Sequence, residues 1–243
     1  MDLGISGRRA AVAAASRGLG FATARALAGE GVQVAICGRD AQALGDAAQQ
    51  IGASPIVADV STVEGAAAFV RAARDELGGL DILVANGGGP PPGRFADVSD
   101  PQEYARAFEL SCLSTIAMCA EAMPTMQAQQ WGRVVAITSI AVRQPIPSLI
   151  LSNTARAGLT GFLKTLAREV APDGVTVNSL QPGSHDTERL RSLGAADTTG
   201  IPAGRLGTAA EFGAVAAFLC SQHAAFLTGA AIPVDGGVYG GLQ

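Results

Sequence analysis

A glycine-rich turn near the start of the chain has the residue types and spacing to bind a pyrophosphate. Glycines let backbone N–H groups approach phosphate oxygens, and the positive end of a following helix attracts the charge. The turn lies between a predicted strand, residues 10–14, and a helix predicted to begin near Phe21. Because it opens the first helix, its Gly-x-Gly pair is a stronger signal than the pair alone. The cofactor-binding candidates here are Ser16, Arg17, Gly18, Leu19 and Gly20.

The second predicted strand is followed by a cation. An acid at this strand end binds the ribose 2′-hydroxyl of a dinucleotide, whereas a nearby arginine favours a 2′-phosphate. Arg39 follows the strand, and Arg17 could reach the same phosphate. Asp40 is either the ribose-binding acid or the cap of the next helix. The pattern favours NADP(H) over NAD(H). The alternative is that Arg17 and Arg39 are solvated surface residues that bind no phosphate.

A hydroxyl and a permanent cation lie one helical turn apart in the second half of the chain. Ser152 and Arg156 lie in a predicted helix of residues 152–171, so their side chains share one face. A guanidinium can polarise a carbonyl or bind a carboxylate through two parallel hydrogen bonds, and it stays protonated at neutral pH. The alternative is a helix face that only packs. His185 is either a proton donor or, as we favour from the sequence, a solvent-exposed loop histidine.

Short apolar runs alternate with alanine-rich helical stretches, which predicts an α/β fold with a parallel sheet covered by helices on both faces. The segments Ser61–Glu64 and Thr208–Glu211 match the capping box that starts a helix. No polar linker divides the chain, so we expect one dinucleotide-binding domain over residues 1–243. The predicted strands are residues 10–14, 32–37, 55–58, 82–85, 134–138, 175–180 and 231–234.

Composition narrows the class of protein. Hydrophobic residues make up 48% of the chain and charged residues 16%, enough apolar material for a large core. The net charge of −4, with no basic run, argues against a nucleic-acid partner. No signal-peptide layout or bilayer-length apolar run occurs, so we expect a cytoplasmic protein without a membrane partner. The cysteines form no CxxC pair and no histidine lies near one, which predicts reduced thiols and no metal site.

Several segments, in order along almost the whole chain, resemble the short-chain dehydrogenase/reductase (SDR) superfamily. The glycine turn resembles the family's TGxxxGxG motif, with Ala13 and Ala14 in place of its Thr and first Gly. The segment 205–237 resembles β-ketoacyl-carrier-protein reductases. The remaining matches fall on segments that contact the adenine, follow the fourth strand or border the nicotinamide: Asp59, Val60, Asn86, Gly87, Pro182, Gly183 and Thr187.

The resemblance implies a Rossmann-like, doubly wound fold with a seven-stranded parallel sheet, an NADP(H) cofactor and a small-molecule substrate. It also implies a homo-oligomer, dimer or tetramer, formed through the long helices at residues 101–126 and 152–171. The loop of residues 87–93 contains three consecutive prolines, which stiffen it. It is either a fixed wall beside the substrate or a plain connector. Residues 187–201 are fewer than in the family's usual substrate lid, which implies an open pocket or a lid from a neighbouring subunit.

The catalytic positions depart from the family pattern. In SDR enzymes a Ser is followed by a Tyr and, one helical turn later, by a Lys. By the same spacing these positions are Ser139, Ser152 and Arg156, and the family's Asn falls on Ser111. The resemblance makes all four residues the catalytic candidates. Because a serine hydroxyl is far less acidic than a phenol of pKa about 10, the family's Tyr–Lys proton relay is unavailable.

Two functions remain open from the sequence. The first is an NADP(H)-dependent oxidoreductase that transfers hydride to or from a carbonyl, imine or conjugated substrate. In it Arg156 orients cofactor or substrate, Ser139 and Ser152 donate hydrogen bonds, and water or His185 handles the proton. The alternative is a non-redox protein of the same fold, either a ligand-binding regulator or an enzyme of other chemistry. Arg39 favours the first, and Ser152 favours the second.

Overall fold

The computed structural model describes residues 2–192, 194 and 197–242. The strands are β1 Arg9–Val12, β2 Gln33–Gly38, β3 Ser54–Val57, β4 Ile82–Ala85, β5 Gly132–Ile137, β6 Val175–Pro182, β7 His185–Asp186, β8 Gly207–Thr208 and β9 Ala231–Val234. The α-helices are α1 Gly18–Gly29, α2 Ala41–Ile51, α3 Val63–Leu77, α4 Pro101–Phe108, α5 Ser114–Ala128, α6 Ile150–Val170, α7 Glu188–Ser192 and α8 Ala209–Cys220.

Seven strands form one parallel sheet in the order β3-β2-β1-β4-β5-β6-β9. Strand β1 pairs with β2 on one side and β4 on the other, so the sheet grows outward in both directions from β1. A crevice therefore opens at the carboxyl ends of β1 and β4, where ligands bind in open α/β sheets. The predicted Rossmann-like fold and its seven strands are confirmed. The small β7–β8 pair was not predicted.

Each face of the sheet carries its own apolar core. On one face Ala11 and Leu83 pack with side chains of α3, α5 and α6, including Phe69 of α3. On the other face the alternate strand residues pack with α1, α2 and α8, including Phe212 of α8. Because successive strand residues point to opposite faces, a strand buried on both sides must be apolar throughout. This explains why the predicted strands were continuous apolar runs.

Local signals set most helix starts. Thr208 caps α8 in the predicted capping box, with Glu211 bonding back to its N–H at 2.8 Å. The prediction for Ser61 is wrong by one residue, because the hydroxyl of Thr62 accepts from the N–H of Gly65 and caps α3 instead. The first helix begins at Gly18, not near Phe21, so the glycine turn itself forms its first turn.

The predicted long helix at residues 101–126 is interrupted. Between α4 and α5, residues Glu109–Leu113 form a π-helical turn, which inserts an extra residue without ending the helical path. This turn packs against α6. Such π-turns occur often at functional sites, and this one contains Ser111.

No helix within the described ranges is both long and apolar enough to span a membrane. In the same part of the chain, no group of three or more His, Cys, Asp or Glu side chains could hold a metal ion. All four cysteines are free thiols and buried.

Candidate active site

The glycine turn forms an open backbone cradle at the end of β1. Gly18 has a φ of 64°, and an added Cβ there would meet no atom within 4 Å. At Gly20 a Cβ would lie 2.6 Å from the carbonyl oxygen of Ala14, so only glycine fits. Asn86 donates from Nδ2 to the carbonyl oxygens of Ala13 and Ala14 at 3.2 and 3.1 Å. The turn is thus fixed to β4 and retains the open space that a pyrophosphate requires.

The end of β2 carries an exposed cation beside an acid that caps the next helix. Asp40 accepts hydrogen bonds from the N–H groups of Gln42 and Ala43, at 3.0 and 3.1 Å, and caps α2. The alternative in which Asp40 is a helix cap is therefore the one observed. Arg39 is exposed. Hydrogen bonds from Ser61 and the charge of Arg39 lower the pKa of Asp59, which lies at the neighbouring strand end.

Arg17 lies against Glu188, with 3.0 Å between Nη1 and Oε2 and both side chains largely exposed. This contact joins the glycine turn to α7, which begins just after the end of β6. An exposed pair of this kind contributes at most about 1 kcal/mol. Such a weak pair would not prevent Arg17 from turning towards a ligand.

The structure brings Ser139, Ser152 and Arg156 to the carboxyl end of β5. Arg156 is only 9% exposed, and its Nη1 donates to the carbonyl oxygen of Ile137 at 3.1 Å. Ser152 lies one turn earlier on α6 and is 8% exposed. Ser139 starts the 3₁₀ turn that packs on α6, and its Oγ accepts from the N–H of Ala141 at 3.1 Å. Burial, then the charge of Arg189, lower the pKa of Arg156 to about 10, so it remains a cation at neutral pH.

Ser111 lies in the π-helical turn that packs against α6. It is buried, and its hydroxyl has no hydrogen-bond partner in the part of the chain that the structure describes. A buried hydroxyl without a partner costs free energy. An unpaired hydroxyl on an irregular turn that packs against α6 is consistent with a group that bonds a ligand.

The residues predicted to border the nicotinamide lie at the end of β6 and just after it: Pro182, Gly183 and Thr187. The N–H of Gly183 donates to Val234 at 3.0 Å, and an added Cβ would lie 2.7 Å from Asp235. Thr187 accepts from the N–H of Leu190 at 3.3 Å at the start of α7. Because β1, β4, β5 and β6 are consecutive parallel strands of the sheet, these residues share one sheet edge with the glycine turn.

Gln181 is a candidate that the sequence analysis missed. Its side chain is fully buried, and within the described ranges neither amide atom has a hydrogen-bond partner. Strand alternation places it with Val175 and Val177, which pack against α6, on the same face of the sheet as Arg156. The available signal was a polar residue directly before Pro182-Gly183. The predicted strand of residues 175–180 ends just before Gln181, whereas β6 continues to Pro182.

The prediction of a solvent-exposed His185 is wrong. The residue is 5% exposed and its ring packs edge-to-face on Phe212, with 5.3 Å between ring centroids. Its Nδ1 lies 3.2 Å from the carbonyl oxygen of Gly183. Burial lowers the pKa of the imidazole. Phe212 belongs to α8, on the sheet face opposite α6, so the structure does not bring His185 to the serine–arginine site.

The proline-containing loop forms a wall beside this site. The N–H of Gly93 donates to the carbonyl oxygen of Ser148 at 2.7 Å, and its carbonyl oxygen accepts from the N–H of Ile150 at 3.2 Å. These two bonds hold the loop against the start of α6. From α7, Nη2 of Arg189 donates to the carbonyl oxygen of Gly89 at 3.2 Å. In the predicted short lid, α7 occupies residues 188–192, and residues 193, 195 and 196 lie outside the described residues. A cavity of about 170 Å³ is lined by Pro90, Pro91, Glu103, Arg106, Ala107, Leu110 and Leu151.

Comparisons with known proteins agree with this geometry. Residues 13–239 match the family described as enoyl-(acyl carrier protein) reductase. The 3-oxoacyl-[acyl-carrier-protein] reductase FabG of Escherichia coli K12 is 36% identical over 246 residues, covering 98% of this chain and 99% of that protein. Nodulation protein G of Rhizobium meliloti 1021 is 31% identical over 240 residues, covering 96% and 98%.

Solved structures give the same result. YwfH, described as an NADPH-dependent reductase involved in bacilysin biosynthesis, superposes with a TM-score of 0.93 at 27% identity, covering 98% of this chain and 100% of that one. L-sorbose reductase of Gluconobacter frateurii, complexed with NADPH and L-sorbose, has a TM-score of 0.93 at 30% identity, covering 100% of both chains. The chain therefore belongs to the short-chain dehydrogenase/reductase superfamily, as a ketoreductase-like member of these NAD(P)-dependent oxidoreductases.

Proposed function

We propose that the protein is an NADP(H)-dependent reductase that transfers hydride to or from a carbonyl, imine or conjugated small molecule without a Tyr–Lys relay. The observation that carries this is the buried cation of Arg156 at the end of β5, one turn from Ser152 and beside the turn begun by Ser139. A positive charge held away from water is well placed to stabilise negative charge on a reacting oxygen.

The described residues fit the cofactor. Gly20 admits no side chain, the space around Gly18 is open, and Asn86 fixes the turn. When bound, NADPH supplies a hydride, that is, a proton with two electrons. The residues that would hold it are Ser16, Arg17, Gly18, Leu19, Gly20, Arg39, Asp59, Val60, Asn86, Gly87, Arg156, Pro182, Gly183 and Thr187.

The preference for NADP(H) rests on charge. Arg39 is exposed at the end of β2, and the nearest acid along the chain, Asp40, is already engaged as a helix cap. Two structural relatives are described with NADPH. Replacement of Arg39 by Ala should weaken NADPH binding about tenfold, the loss expected for a charge-assisted hydrogen bond, and leave NADH binding unchanged. Arg25→Ala, an exposed arginine on α1, is the matched control.

The chain's own residues then handle charge and proton. In reduction of a carbonyl, the new C–H bond takes the hydride, and the C=O π electrons move to oxygen. Arg156 and the hydroxyls of Ser139 and Ser152 stabilise that oxygen by charge and hydrogen bonds. The proton that completes the alcohol comes from water, because a serine hydroxyl is too weak an acid and His185 packs against α8.

A non-redox binding protein is the second candidate function. Two substitutions favour it: Ser152 in place of the family's Tyr, and Ala14 in place of a glycine in the cofactor turn. In this alternative the cleft binds its ligand without hydride transfer.

Isotope transfer distinguishes the two functions. NADPH binding is first measured by fluorescence titration and thermal shift. NADPH stereospecifically deuterated at C4 is then incubated with ketones, imines and conjugated carbonyl compounds, and the products are analysed by mass spectrometry. Deuterium in a product supports the reductase. Saturable binding without transfer across the panel would favour the non-redox function, and no binding would refute the cofactor assignment.

We also propose that the protein is a cytoplasmic homo-oligomer, a dimer or tetramer that associates through α4–α5 and α6. Leu113, on this surface, is 44% exposed. Light scattering should show a mass above that of one chain, and Leu113→Glu should reduce it. A monomer at micromolar concentration would refute the association, and fractionation of cells tests the location.

A further inference from the structure

Arg156 carries a positive charge into the interior, and no anion lies beside it in the part of the chain that the structure describes. Its one hydrogen bond to the described residues is the 3.1 Å contact from Nη1 to the carbonyl oxygen of Ile137. A guanidinium has five N–H donors, so Nε and Nη2 have no protein acceptor there. A buried charge without a partner is costly, and proteins retain one where a ligand supplies the opposite charge.

A second cation borders the same cleft. Nη2 of Arg189 lies 3.2 Å from the carbonyl oxygen of Gly89 and 3.5 Å from that of Pro90, so this arginine spans from α7 to the proline-containing loop. That loop follows β4, and Arg156 lies at the end of β5, the next strand in the sheet. The charge of Arg189 also lowers the pKa of Arg156.

Neither arginine forms an ion pair with any residue in the described ranges. The acids on either side of Arg189 in the sequence are paired elsewhere: Glu188 with Arg17 at 3.0 Å, and Asp186 with Arg191 at 3.2 Å. Among the described residues, the two cations at this cleft are therefore left without a counterion. Like charges repel, and an anion placed between them removes that cost.

The missing anion is not the pyrophosphate of the cofactor. The cradle for the pyrophosphate lies at the end of β1, whereas Arg156 lies at the end of β5, two strands away. At the usual strand spacing this is roughly 10 Å. The negative charge that would pair with Arg156 and Arg189 therefore belongs to the substrate. Planar guanidinium groups match a planar carboxylate, which accepts two parallel hydrogen bonds.

The adjoining cavity has room for the rest of such a molecule. It shares Pro90 with the contact of Arg189, and it is bordered by Leu110 and Leu151, the residues before Ser111 and Ser152. Most of its wall is apolar, and Glu103 and Arg106 also line it. A molecule that fits both features has a carboxylate at one end and a short apolar body at the other.

We propose that Arg156 and Arg189 bind the carboxylate of the substrate, so that the enzyme reduces a small oxo acid or unsaturated acid. This inference rests on the proposed function, because it assigns the substrate of the same cleft. A neutral ketone, ester or thioester would leave the two cations without a counterion and should bind weakly.

Matched acids and esters test the proposal. The probes are 2-oxohexanoate, 4-oxohexanoate and trans-2-hexenoate, each with its methyl ester, measured by calorimetry against the full chain saturated with NADP⁺. With the oxidised cofactor no probe can be reduced, so binding is measured apart from turnover. At least one acid should bind tenfold or more tightly than its ester. Equal binding of every acid and ester would overturn the proposal.

Substitutions in α7 test which residues bind the carboxylate. Arg189→Ala should weaken acid binding about 10- to 100-fold, the range for a hydrogen-bonded charge, with ester and NADPH binding unchanged. Arg189→Lys should recover part of the loss. Arg191→Ala, two residues away and paired with Asp186, should change none of these values. If Arg189→Ala weakens acid and ester equally, or Arg191→Ala has the same effect, the assignment is wrong.

The two proposals can fail separately. Selective acid binding without deuterium transfer to the bound acids would retain the carboxylate site and count against the reductase. Deuterium transfer to neutral ketones, with no preference for acids, would retain the reductase and refute the carboxylate site.

Discussion

Asn86 donates a 3.1 Å hydrogen bond to the carbonyl oxygen of Ala14, and Ala14 adopts a φ of 47°. This φ lies in the left-handed region, which L-residues other than glycine, Asn and Asp rarely adopt. The family pattern has glycine at this position. The alanine therefore holds a strained backbone conformation, and Asn86 together with the bond from the N–H of Ala14 to Cys37 Sγ at 3.3 Å maintains it.

Replacement of Ala14 by glycine should relieve this strain. We expect the free energy of unfolding to rise by about 1 kcal/mol, because glycine adopts positive φ without the Cβ clash. Urea denaturation measures it. Ala13→Gly is the control: Ala13 is fully buried and has no positive φ, so it should lose stability instead. A loss of stability in both variants would show that Ala14 is not strained.

The buried amide of Gln181 should cost stability in the free protein. Since both amide atoms lack partners in the described part of the chain, Gln181→Met, of similar size, should raise the free energy of unfolding by about 1 kcal/mol. If the amide bonds a ligand, the same variant should weaken binding of cofactor or substrate. Thermal shift with and without NADPH measures both effects.

Asn178, on the same strand, provides the matched control for Gln181. Its amide donates to Leu227 at 2.7 Å and accepts from Ala230 at 3.0 Å. Asn178→Leu should therefore destabilise the fold by about 2 kcal/mol, because both partners lose their bonds. If Gln181→Met also destabilises, its amide is satisfied in solution and is not held for a ligand.

These residues show which features the sequence could predict. The strands were located to within two residues because apolar runs buried on both faces are a strong local signal. The glycine turn was predicted from residue type and spacing, and the positions of Ser139, Ser152 and Arg156 followed from the resemblance to the SDR pattern. The helix cap at Asp40 was one of two alternatives, and the structure decided between them.

Contacts between residues distant in the chain were not predictable. His185 was expected in solvent because its neighbours form a polar loop, and its burial depends on Phe212, contributed by α8. The π-helical turn at Ser111 looks like ordinary helix in sequence, and its contact with α6 comes from a distant part of the chain. The approach of Arg189 to Gly89 joins α7 to a loop a hundred residues away, and no local pattern indicates it.

Acid should destabilise the protein through Asp81. Its carboxylate accepts from Nε of Arg9 at 2.7 Å and from the N–H of Arg9 at 2.9 Å, and it is almost fully buried. Burial would raise the pKa of Asp81, but the hydrogen bonds and charge of Arg9 outweigh it and lower the pKa. The folded-state pKa is thus below the unfolded value of about 3.9. The stabilisation is complete above that value and is lost as the pH falls through the folded-state pKa.

The variant Asp81→Asn tests whether Asp81 causes this loss of stability in acid. At pH 7 it should lower the free energy of unfolding by about 3 kcal/mol, because Arg9 loses its buried counterion. Between pH 5 and pH 3 the wild type should lose more stability than the variant does. Asp75→Asn, at an exposed carboxylate 3.6 Å from Arg74, is the control and should follow the wild type. Parallel pH curves for wild type and Asp81→Asn would refute the assignment.

A double change at the catalytic positions tests whether only the proton relay is missing. In Ser152→Tyr/Arg156→Lys, a phenol would stand one helical turn from an ammonium, which favours the phenolate and makes the hydroxyl a better proton donor. Reduction of simple neutral ketones should rise about 10²- to 10⁴-fold, the usual contribution of a positioned general acid. The rate should also gain a pH dependence below the ordinary phenol pKa of about 10.

The control for this double change is Ser152→Phe/Arg156→Lys, which adds the ring without the hydroxyl. It should show no gain, because neither bulk nor the lysine alone supplies a proton. Ser152 is buried, so circular dichroism and NADPH titration must first show that both variants fold and bind cofactor. If the tyrosine variant folds, binds NADPH and still reduces no ketone, the cleft is not arranged for carbonyl reduction. The scaffold would then differ from a ketoreductase by more than its proton donor.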